Sequence, residues 1–353
     1  MKITRLECWA HAMPLTEPYT IAYETIRHAV NVFLKVETDN GLAGWGCAAP
    51  DMAVTLETPE MVMTAFHDVI EPYLRGADPF HYARLLAELR KQLPYQPSAL
   101  AMVDMMLFDL MAQKADEPLY KLLGGFRNCI ATSITIGILP VAETVERAVG
   151  FARKGFKVIK LKGGNNVDED VEKIARIREA VGNRLEIRFD ANQGYTVAEA
   201  IAFIHRTEHY KVELLEQPTD KHNEELLKEV ALNVSVPVMA DESLMTLKDV
   251  FHLTSRGCID MINIKLVKVG GIMEGLHINS VAKADNVEAM VGCMDESALG
   301  IAAGLHFALS RPNIAYADLD GHLDLLDDPF AGMVRLEEGV LYPSERAGLG
   351  VKG

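Results

Sequence analysis

The chain has 353 residues, of which 49% are hydrophobic and 24% are charged, and its formal net charge at pH 7 is −15. This length allows a barrel of about 250 residues and a second domain of roughly 100 residues. The negative charge, without any basic stripe, argues against a nucleic-acid partner.

Membrane insertion and secretion are also not expected. The sequence contains no run of about 18 apolar residues, and its N-terminus lacks the continuous apolar segment of a signal peptide. The five cysteines are scattered and form no CxxC pair, which argues against a disulfide framework or a zinc site and favours a reducing compartment. We therefore predict a cytoplasmic protein with no membrane partner.

The first part of the chain predicts an α+β domain. Weak alternation of apolar and polar residues over positions 2–13, and an Asn-Gly dipeptide at 40–41 between two apolar runs, predict antiparallel strands and a hairpin. Residues 57–124 then follow helical patterns and end near a Gly-Gly pair that fits a helix C-cap. We assign residues 1–125 to this domain.

From about residue 130 the pattern changes to strands that alternate with helices. Eight apolar strand-like runs follow one another, and seven of them precede a clear helix. This alternation predicts a parallel sheet, so the fold class is α/β, a (β/α)7β modified TIM barrel. We assign residues 126–324 to the barrel and expect the turn-rich segment at 325–353 to return to the N-terminal domain.

Charged residues recur at the ends of these strand-like runs. The spacing of 24 to 28 residues, about one strand and one helix, separates Lys162, Asp190, Glu216, Asp241 and Lys265. A charge at the end of a buried strand is costly unless it is paired or binds a metal. In a barrel these side chains would meet at the C-terminal mouth, where the active sites of this fold lie.

The residue types in this series indicate metal-assisted proton transfer. Asp190, Glu216 and Asp241 offer three carboxylates and no His or Cys, a set that suits Mg²⁺ or Mn²⁺. Lys162 and Lys265 would lie on opposite sides of the barrel, where each can move a proton on one face of a carbon atom. The metal would hold the substrate carboxylate and stabilise an enediolate.

Two further lysines lie close to this series in the sequence. Lys160 shares a strand face with Lys162, and a second positive charge beside a lysine base would help to tune it. Lys268 is assigned to the loop after Lys265 or to a structural ion pair.

The order of these motifs resembles a known family. The segments KLK (160–162), DANQ (190–193), EQP (216–218), ADES (240–243) and NIK (263–265) are similar to those of the enolase superfamily. The two lysines resemble its muconate-lactonizing subgroup. The resemblance covers essentially the whole chain, and it implies an N-terminal α+β capping domain, the three metal ligands named above and one Mg²⁺, or Mn²⁺, per subunit.

The last strand-like run narrows the choice of substrate. Asp318 and Asp320 alternate onto one strand face, and they match the DxD motif with which dipeptide epimerases of this superfamily bind the ammonium group of the substrate. Two carboxylates around an ammonium group make charge-assisted hydrogen bonds. Thr135 matches a position near the substrate in the family, and we count Thr135 and Lys160 among the substrate-binding residues.

Three acids and a methionine bear on which dipeptide is bound. By the same resemblance, Glu24 stands at the position where Ala-Glu epimerases carry an arginine. This difference argues against Ala-Glu as the substrate. Asp51 adds an acid in the second capping-domain loop, and GCMDES at 292–297, which contains Met294 and Asp295, resembles epimerases that act on cationic dipeptides. Acids around a side-chain pocket favour Lys or Arg, so we predict a small dipeptide that contains one of them.

Other interpretations stay open at this level. The substrate alternatives are L-Ala-D/L-Glu and hydrophobic dipeptides, and Glu24 and Asp51 also fit solvated loop charges. A lyase of the same fold, such as o-succinylbenzoate synthase or a cycloisomerase, would need no ammonium site. A non-catalytic metal-binding scaffold is disfavoured because all the functional charges are present. Barrels of this type commonly assemble, so we expect a homo-oligomer.

Overall fold

The computed structural model describes residues 1–22 and 24–352. Its N-terminal part contains a three-stranded antiparallel sheet formed, in spatial order, by β1 (Ile3–Thr20), β2 (Thr25–Thr38) and β3 (Ala43–Ala48). Gly41, with a φ of +85°, lies in the turn between β2 and β3, which is the hairpin predicted from the Asn-Gly pair. Phe33 and Leu34 in the central strand are fully buried.

Helices follow this sheet. They are α1 (Pro59–Ala65), α2 (Glu71–Leu74), α3 (Tyr82–Gln92), α4 (Pro97–Lys114) and α5 (Leu119–Leu122). A π-helical turn at Phe66–Ile70 separates α1 from α2, and a 3-10 turn at Pro79–His81 precedes α3. Residues 98–112 of α4 are all buried, because this helix packs against both β3 and the barrel.

An eight-stranded parallel sheet forms the second part of the fold. Its strands, in spatial and chain order, are β5 (Ile134–Ile136), β6 (Val158–Lys162), β7 (Glu186–Asp190), β8 (Val212–Glu216), β9 (Val238–Ala240), β10 (Met261–Lys265), β11 (Glu288–Gly292) and β12 (Ile314–Asp318). A bridge between Thr132 and Ala317 brings the segment before β5 against β12, so the two edges of the sheet meet. The predicted (β/α)7β barrel with an N-terminal α+β domain is confirmed.

The barrel strands are connected by helices. These are α6 (Val141–Arg153), α7 (Val167–Val181), α8 (Val197–Thr207), α9 (Glu224–Asn233), α10 (Leu247–Ser255), α11 (Leu266–Val269), α12 (Ile272–Ala284) and α13 (Ala298–Ala308), with 3-10 turns at Gly182–Arg184 and Glu208–Tyr210. Thr196 with Glu199, and Thr246 with Asp249, form capping boxes that fix two helix starts. In the described part of the chain, no helix is long and apolar enough to cross a membrane.

The C-terminal segment contacts both parts of the fold. The strands β13 (Arg335–Glu337) and β14 (Val340–Tyr342) form an antiparallel sheet with β4 (Ile130–Ala131), next to the barrel. Leu349 donates its backbone N–H to Asp109 Oδ1 of α4 at 2.7 Å. These contacts agree with the expected return of this segment to the N-terminal domain. Gly353 lies outside the described residues, and the domain boundaries remain predictions.

Candidate active site

Parallel strands carry the predicted charges to one end of the barrel. The last residues of β6, β7, β8, β10 and β12 are all charged: Lys162, Asp190, Glu216, Lys265 and Asp318. In the strand register Lys162 lies beside Asp190, and Asp190 lies beside Glu216. Asp241 follows directly after β9. Because the C-terminal strand ends form a single mouth, the predicted site residues meet there.

Asp190, Glu216 and Asp241 form a compact set of carboxylates. One ligand oxygen from each lies within 4.8 Å of the others, and all three side chains are buried. Within the described residues, Glu216 Oε2 and Asp241 Oδ2 make ion pairs but accept no well-directed hydrogen bond. Converging carboxylates with unused oxygen lone pairs fit a hard divalent cation such as Mg²⁺ or Mn²⁺.

The members of this triad differ in how their charge is compensated. Burial raises the pKa of Glu216 to about 7, and Lys160 only partly opposes the rise. Burial acts on Asp241 in the same direction, but Lys265 and Lys268 outweigh it and hold the pKa of Asp241 well below its ordinary value. A divalent cation at the triad would stabilise the ionised form of Glu216.

Lys160 lies at the centre of the acids. Its Nζ is 3.0 Å from Asp190 Oδ2, 2.8 Å from Glu216 Oε2 and 2.9 Å from Asp318 Oδ2, and its side chain is 2% exposed. Burial favours the neutral amine, but these carboxylates outweigh it and raise the pKa of Lys160 well above its ordinary value. Lys160 is therefore a fixed cation that joins two members of the triad to the DxD motif. Its predicted contact with the substrate stays a prediction.

The two lysines expected to move protons are held by different carboxylates. Lys162 Nζ lies 2.7 Å from Asp190 Oδ2, and Lys265 Nζ lies 2.8 Å from Asp241 Oδ2. They project from β6 and β10, which are four strands apart in a sheet of eight. Burial lowers the pKa of Lys265, as expected for a lysine base, but Asp241 outweighs burial, and the pKa lies above its ordinary value.

Asp318 and Asp320 occupy different electrostatic environments. Asp318 accepts hydrogen bonds from Ser133 Oγ at 2.5 Å and from Lys160 Nζ at 2.9 Å. Burial opposes ionisation of Asp318, but Lys160 and these bonds lower its pKa to about 2. Asp320 accepts the backbone N–H of Thr135 at 2.6 Å, and burial together with the charge of Asp318 raises its pKa to about 7. Thr135 thus lies beside the predicted ammonium site.

The four predicted specificity residues line the same cavity as Lys162 and Lys265, the lysines expected to move protons. Glu24 and Asp51 come from the capping-domain loops, and Met294 and Asp295 follow β11. Burial and the nearby charge of Asp51 raise the pKa of Glu24. The Tyr19 hydroxyl donates a hydrogen bond to the Asp295 carboxylate and lies 3.0 Å from each of the two carboxylate oxygens. The structure therefore brings the predicted specificity acids into one cavity.

Some site residues had no assigned role in the sequence. Glu242 lines the cavity next to Asp241, and its Oε1 accepts hydrogen bonds from Asn192 Nδ2 at 3.2 Å and Gln193 Nε2 at 3.3 Å. Glu242, Asn192 and Gln193 belong to the ADES and DANQ motifs, so these motifs are the sequence feature from which their place in the site could have been predicted. Lys268 Nζ lies 2.5 Å from Asp241 Oδ1, which is the structural ion pair considered for it.

Known families match both parts of the chain. Residues 4–124 match the family described as mandelate racemase/muconate lactonizing enzyme, N-terminal domain, and residues 141–352 match the one described as enolase C-terminal domain-like. The chain belongs to the enolase superfamily. The resemblance inferred from the motifs is confirmed.

Relatives in this superfamily match over nearly their full length. The L-Lys-D/L-Arg epimerase of Desulforapulum autotrophicum is 41% identical over 100% of this chain and 99% of its own. The L-Ala-D/L-Glu epimerase of Bacillus subtilis is 37% identical over 100% of this chain and 97% of its own. The dipeptide epimerase of Methylococcus capsulatus, solved with Mg and L-Arg-D-Lys, has a TM-score of 0.95 at 37% identity over 99% of both chains. That of Enterococcus faecalis, solved with Mg and L-Leu-L-Tyr, has a TM-score of 0.97 at 37% identity over 100% of both.

Proposed function

We propose that this chain is a dipeptide epimerase that inverts the α-carbon of the C-terminal residue of its substrate. The observation that carries the proposal is the placement of Lys162 and Lys265 on opposite sides of a three-carboxylate triad, with the acidic pair Asp318 and Asp320 in the same cavity. A lyase of the same fold has no need of an ammonium site, so the acidic pair favours epimerisation.

The proton moves between the substrate and the two lysines. For one epimer Lys162 Nζ, as the neutral amine, removes the α-proton from one face, and the protonated Lys265 Nζ returns a proton to the other face; for the opposite epimer the roles exchange. Asp190 and Asp241 orient the two amines through ion pairs at 2.7 and 2.8 Å. Asp190, Glu216 and Asp241 would hold a divalent cation, which when bound stabilises the substrate carboxylate and the enediolate.

The acidic pair would select the free ammonium group of the dipeptide. Asp318 is oriented by Ser133 and Lys160, and Asp320 by the backbone N–H of Thr135. Both carboxylates keep further acceptor sites for a donor. Charge-assisted bonds to two oriented carboxylates hold one end of the dipeptide and thereby place its α-carbon between the lysines.

Three acids from the capping-domain loops and from the loop after β11 favour a cationic side chain on the substrate. Glu24, Asp51 and Asp295 line the cavity, and a positive side chain would relieve their mutual repulsion. To test this preference, kcat/KM is measured on a dipeptide library that includes Lys- and Arg-containing, Ala-Glu and hydrophobic members. We expect the cationic members to lead. A preference for Ala-Glu would overturn the proposed specificity.

The proposal also covers the cellular compartment and the oligomeric state of the enzyme. We propose a cytoplasmic homo-oligomer with one metal per subunit, because the five cysteines are free and barrels of this type commonly assemble. The mass in solution, measured by light scattering, checks the oligomeric state. A monomeric mass at micromolar concentration would contradict it.

A further inference from the structure

The loop between β11 and α13 is held in place by the capping domain. Asn31 in β2 donates from Nδ2 to the carbonyl oxygen of Asp295 at 3.0 Å, and its Oδ1 accepts the backbone N–H of Ser297 at 2.7 Å. Asn31 is 1% exposed. These bonds hold the backbone at Asp295 and at Ser297, so the direction of the Asp295 side chain is set by the cap as well as by the barrel.

The Asp295 carboxylate has unused hydrogen-bonding capacity. Its two oxygens share the single hydroxyl proton of Tyr19, although an ionised carboxylate offers about four acceptor sites. Asp295 lines the active-site cavity. Burial raises its pKa to about 6, and the bond from Tyr19 opposes that rise. The hydroxyl therefore favours the charged form of a carboxylate that still has acceptor sites for a ligand.

Tyr19 is itself fixed on the barrel. The carbonyl oxygen of Thr20 accepts the backbone N–H of Ile138 at 2.7 Å. At Gly137 a Cβ atom would lie 3.1 Å from both Thr20 O and Tyr19 Cβ, so the end of β1 packs closely on the loop after β5. Burial and the charge of Asp295 raise the pKa of Tyr19 well above its ordinary value, so the phenol stays protonated and remains a donor.

We infer that Tyr19 is a specificity-determining positioning residue, which holds the Asp295 carboxylate as an anionic subsite for the side-chain cation of the substrate. This subsite is separate from Asp318 and Asp320, which take the ammonium group. The inference rests on the proposed function for its choice of ligand. It adds that recognition of the cation depends on a hydroxyl from the capping domain, because Tyr19 is the donor that orients and helps to ionise Asp295.

The test compares binding of two dipeptides of nearly equal size. L-Ala-L-Lys and L-Ala-L-norleucine are titrated calorimetrically into the full chain with Mg²⁺, with the epimers of each at equilibrium. We expect Tyr19→Phe to raise Kd roughly tenfold for the Lys dipeptide and to leave Kd for the norleucine dipeptide unchanged. Asp295→Asn should cause the same selective loss, and the double variant should lose little more, because both changes remove one unit. Tyr95→Phe, at a side chain that is 81% exposed, is the matched control.

Three outcomes would overturn the inference, and the simplest is an unchanged Kd of Tyr19→Phe for the Lys dipeptide. An equal loss for both dipeptides in Tyr19→Phe would mean that the hydroxyl only supports the fold, and fully additive losses in the double variant would mean that the two residues act separately. Binding does not require turnover, so the two proposals can fail independently. Selective binding without epimerisation would remove the epimerase proposal alone, whereas epimerisation without the Tyr19 effect would remove this inference alone.

Discussion

Asp320 differs from Asp318 in how far its charge is compensated. Asp318 pairs with Lys160 at 2.9 Å, whereas at Asp320 burial and the charge of Asp318 outweigh the smaller opposing effect of Lys160 on the pKa. As a result the pKa of Asp320 is raised to about 7 and that of Asp318 is lowered to about 2. Of these two carboxyl groups, Asp320 is therefore the one that changes its charge near neutral pH.

This difference predicts a pH dependence of substrate capture. A raised carboxyl pKa means that the negative charge is lost on acidification through about pH 7 rather than near pH 4. We expect kcat/KM for a dipeptide with a free ammonium group to fall as the pH drops through that range, because protonated Asp320 attracts the ammonium group less. The pH profile of kcat/KM, which reports groups of the free enzyme, is the measurement.

The control for this profile is Asp320→Asn, whose side chain has no charge to lose. Its kcat/KM should be low throughout and should lack the acidic limb that is due to Asp320. An unchanged acidic limb in the variant would show that another group is responsible.

Site residues could be predicted where they end a strand or belong to a local motif. The C-terminal ends of parallel strands meet at one mouth, so Lys162, Asp190 and Glu216 could be placed together from spacing alone. Tyr19 and Asn31 could not, because they reach the loop at Asp295 from positions 276 and 264 residues away. Their roles depend on how the capping domain docks, and no local pattern in β1 or β2 encodes that.

At the scale of elements, β3 and α4 approach each other closely. A Cβ atom on Gly46 would lie 1.9 Å from the carbonyl oxygen of Met102, in the helix backbone. A Cβ atom on Gly150, inside α6, would have no neighbouring atom within 4 Å. The first glycine is therefore required by packing between two elements, while the second is not.

These two glycines predict opposite effects of the same substitution. Gly46→Ala should reduce the free energy of unfolding by at least about 2 kcal/mol, because a helix backbone cannot move aside as a flexible side chain can. Gly150→Ala should increase it by about 0.5–1 kcal/mol through helix propensity. Thermal melts of the two variants beside the unsubstituted protein give the comparison, and a Gly46→Ala variant that melts at the unsubstituted temperature would contradict the packing argument.

The repeated elements could be predicted better than the irregular ones. Alternation of strand and helix gave the barrel because each unit carries its own local signal. The helical pattern near residues 57–74 did not show the π turn at Phe66–Ile70. The pairing of β14 with β4 was also not predicted, because it joins Val340 to Ala131 across most of the barrel sequence and depends on the closed fold.

At the scale of the whole molecule, three of the 50 acidic residues are buried together in the triad. Burial raises the pKa of Glu216, and the neighbouring acids Asp190 and Asp241 add to the rise. Binding of a divalent cation should relieve this repulsion and stabilise the folded chain by about 2.7 kcal/mol at a concentration 100 times Kd. We expect Mg²⁺ to raise the melting temperature and a chelator to lower it again.

Glu216→Gln separates metal binding from folding. Without metal the variant should melt at the same temperature as the unsubstituted chain or higher, because one of three repelling carboxylates is gone. Mg²⁺ should raise the melting temperature of this variant much less than that of the unsubstituted chain. A full Mg²⁺ effect in the variant would show that the ion binds elsewhere.

The central claim is that Lys162 and Lys265 act on opposite faces of one α-carbon. The most direct measurement follows deuterium uptake and epimer formation by mass spectrometry and chiral analysis, for a dipeptide incubated in deuterated water with Lys162→Ala or Lys265→Ala. Lys157→Ala, an exposed lysine just before β6, is the control and should behave as the unsubstituted enzyme. We predict that Lys162→Ala and Lys265→Ala each form the epimer at least about a thousand times more slowly than the unsubstituted enzyme. Full epimerisation by either variant would contradict the two-lysine mechanism.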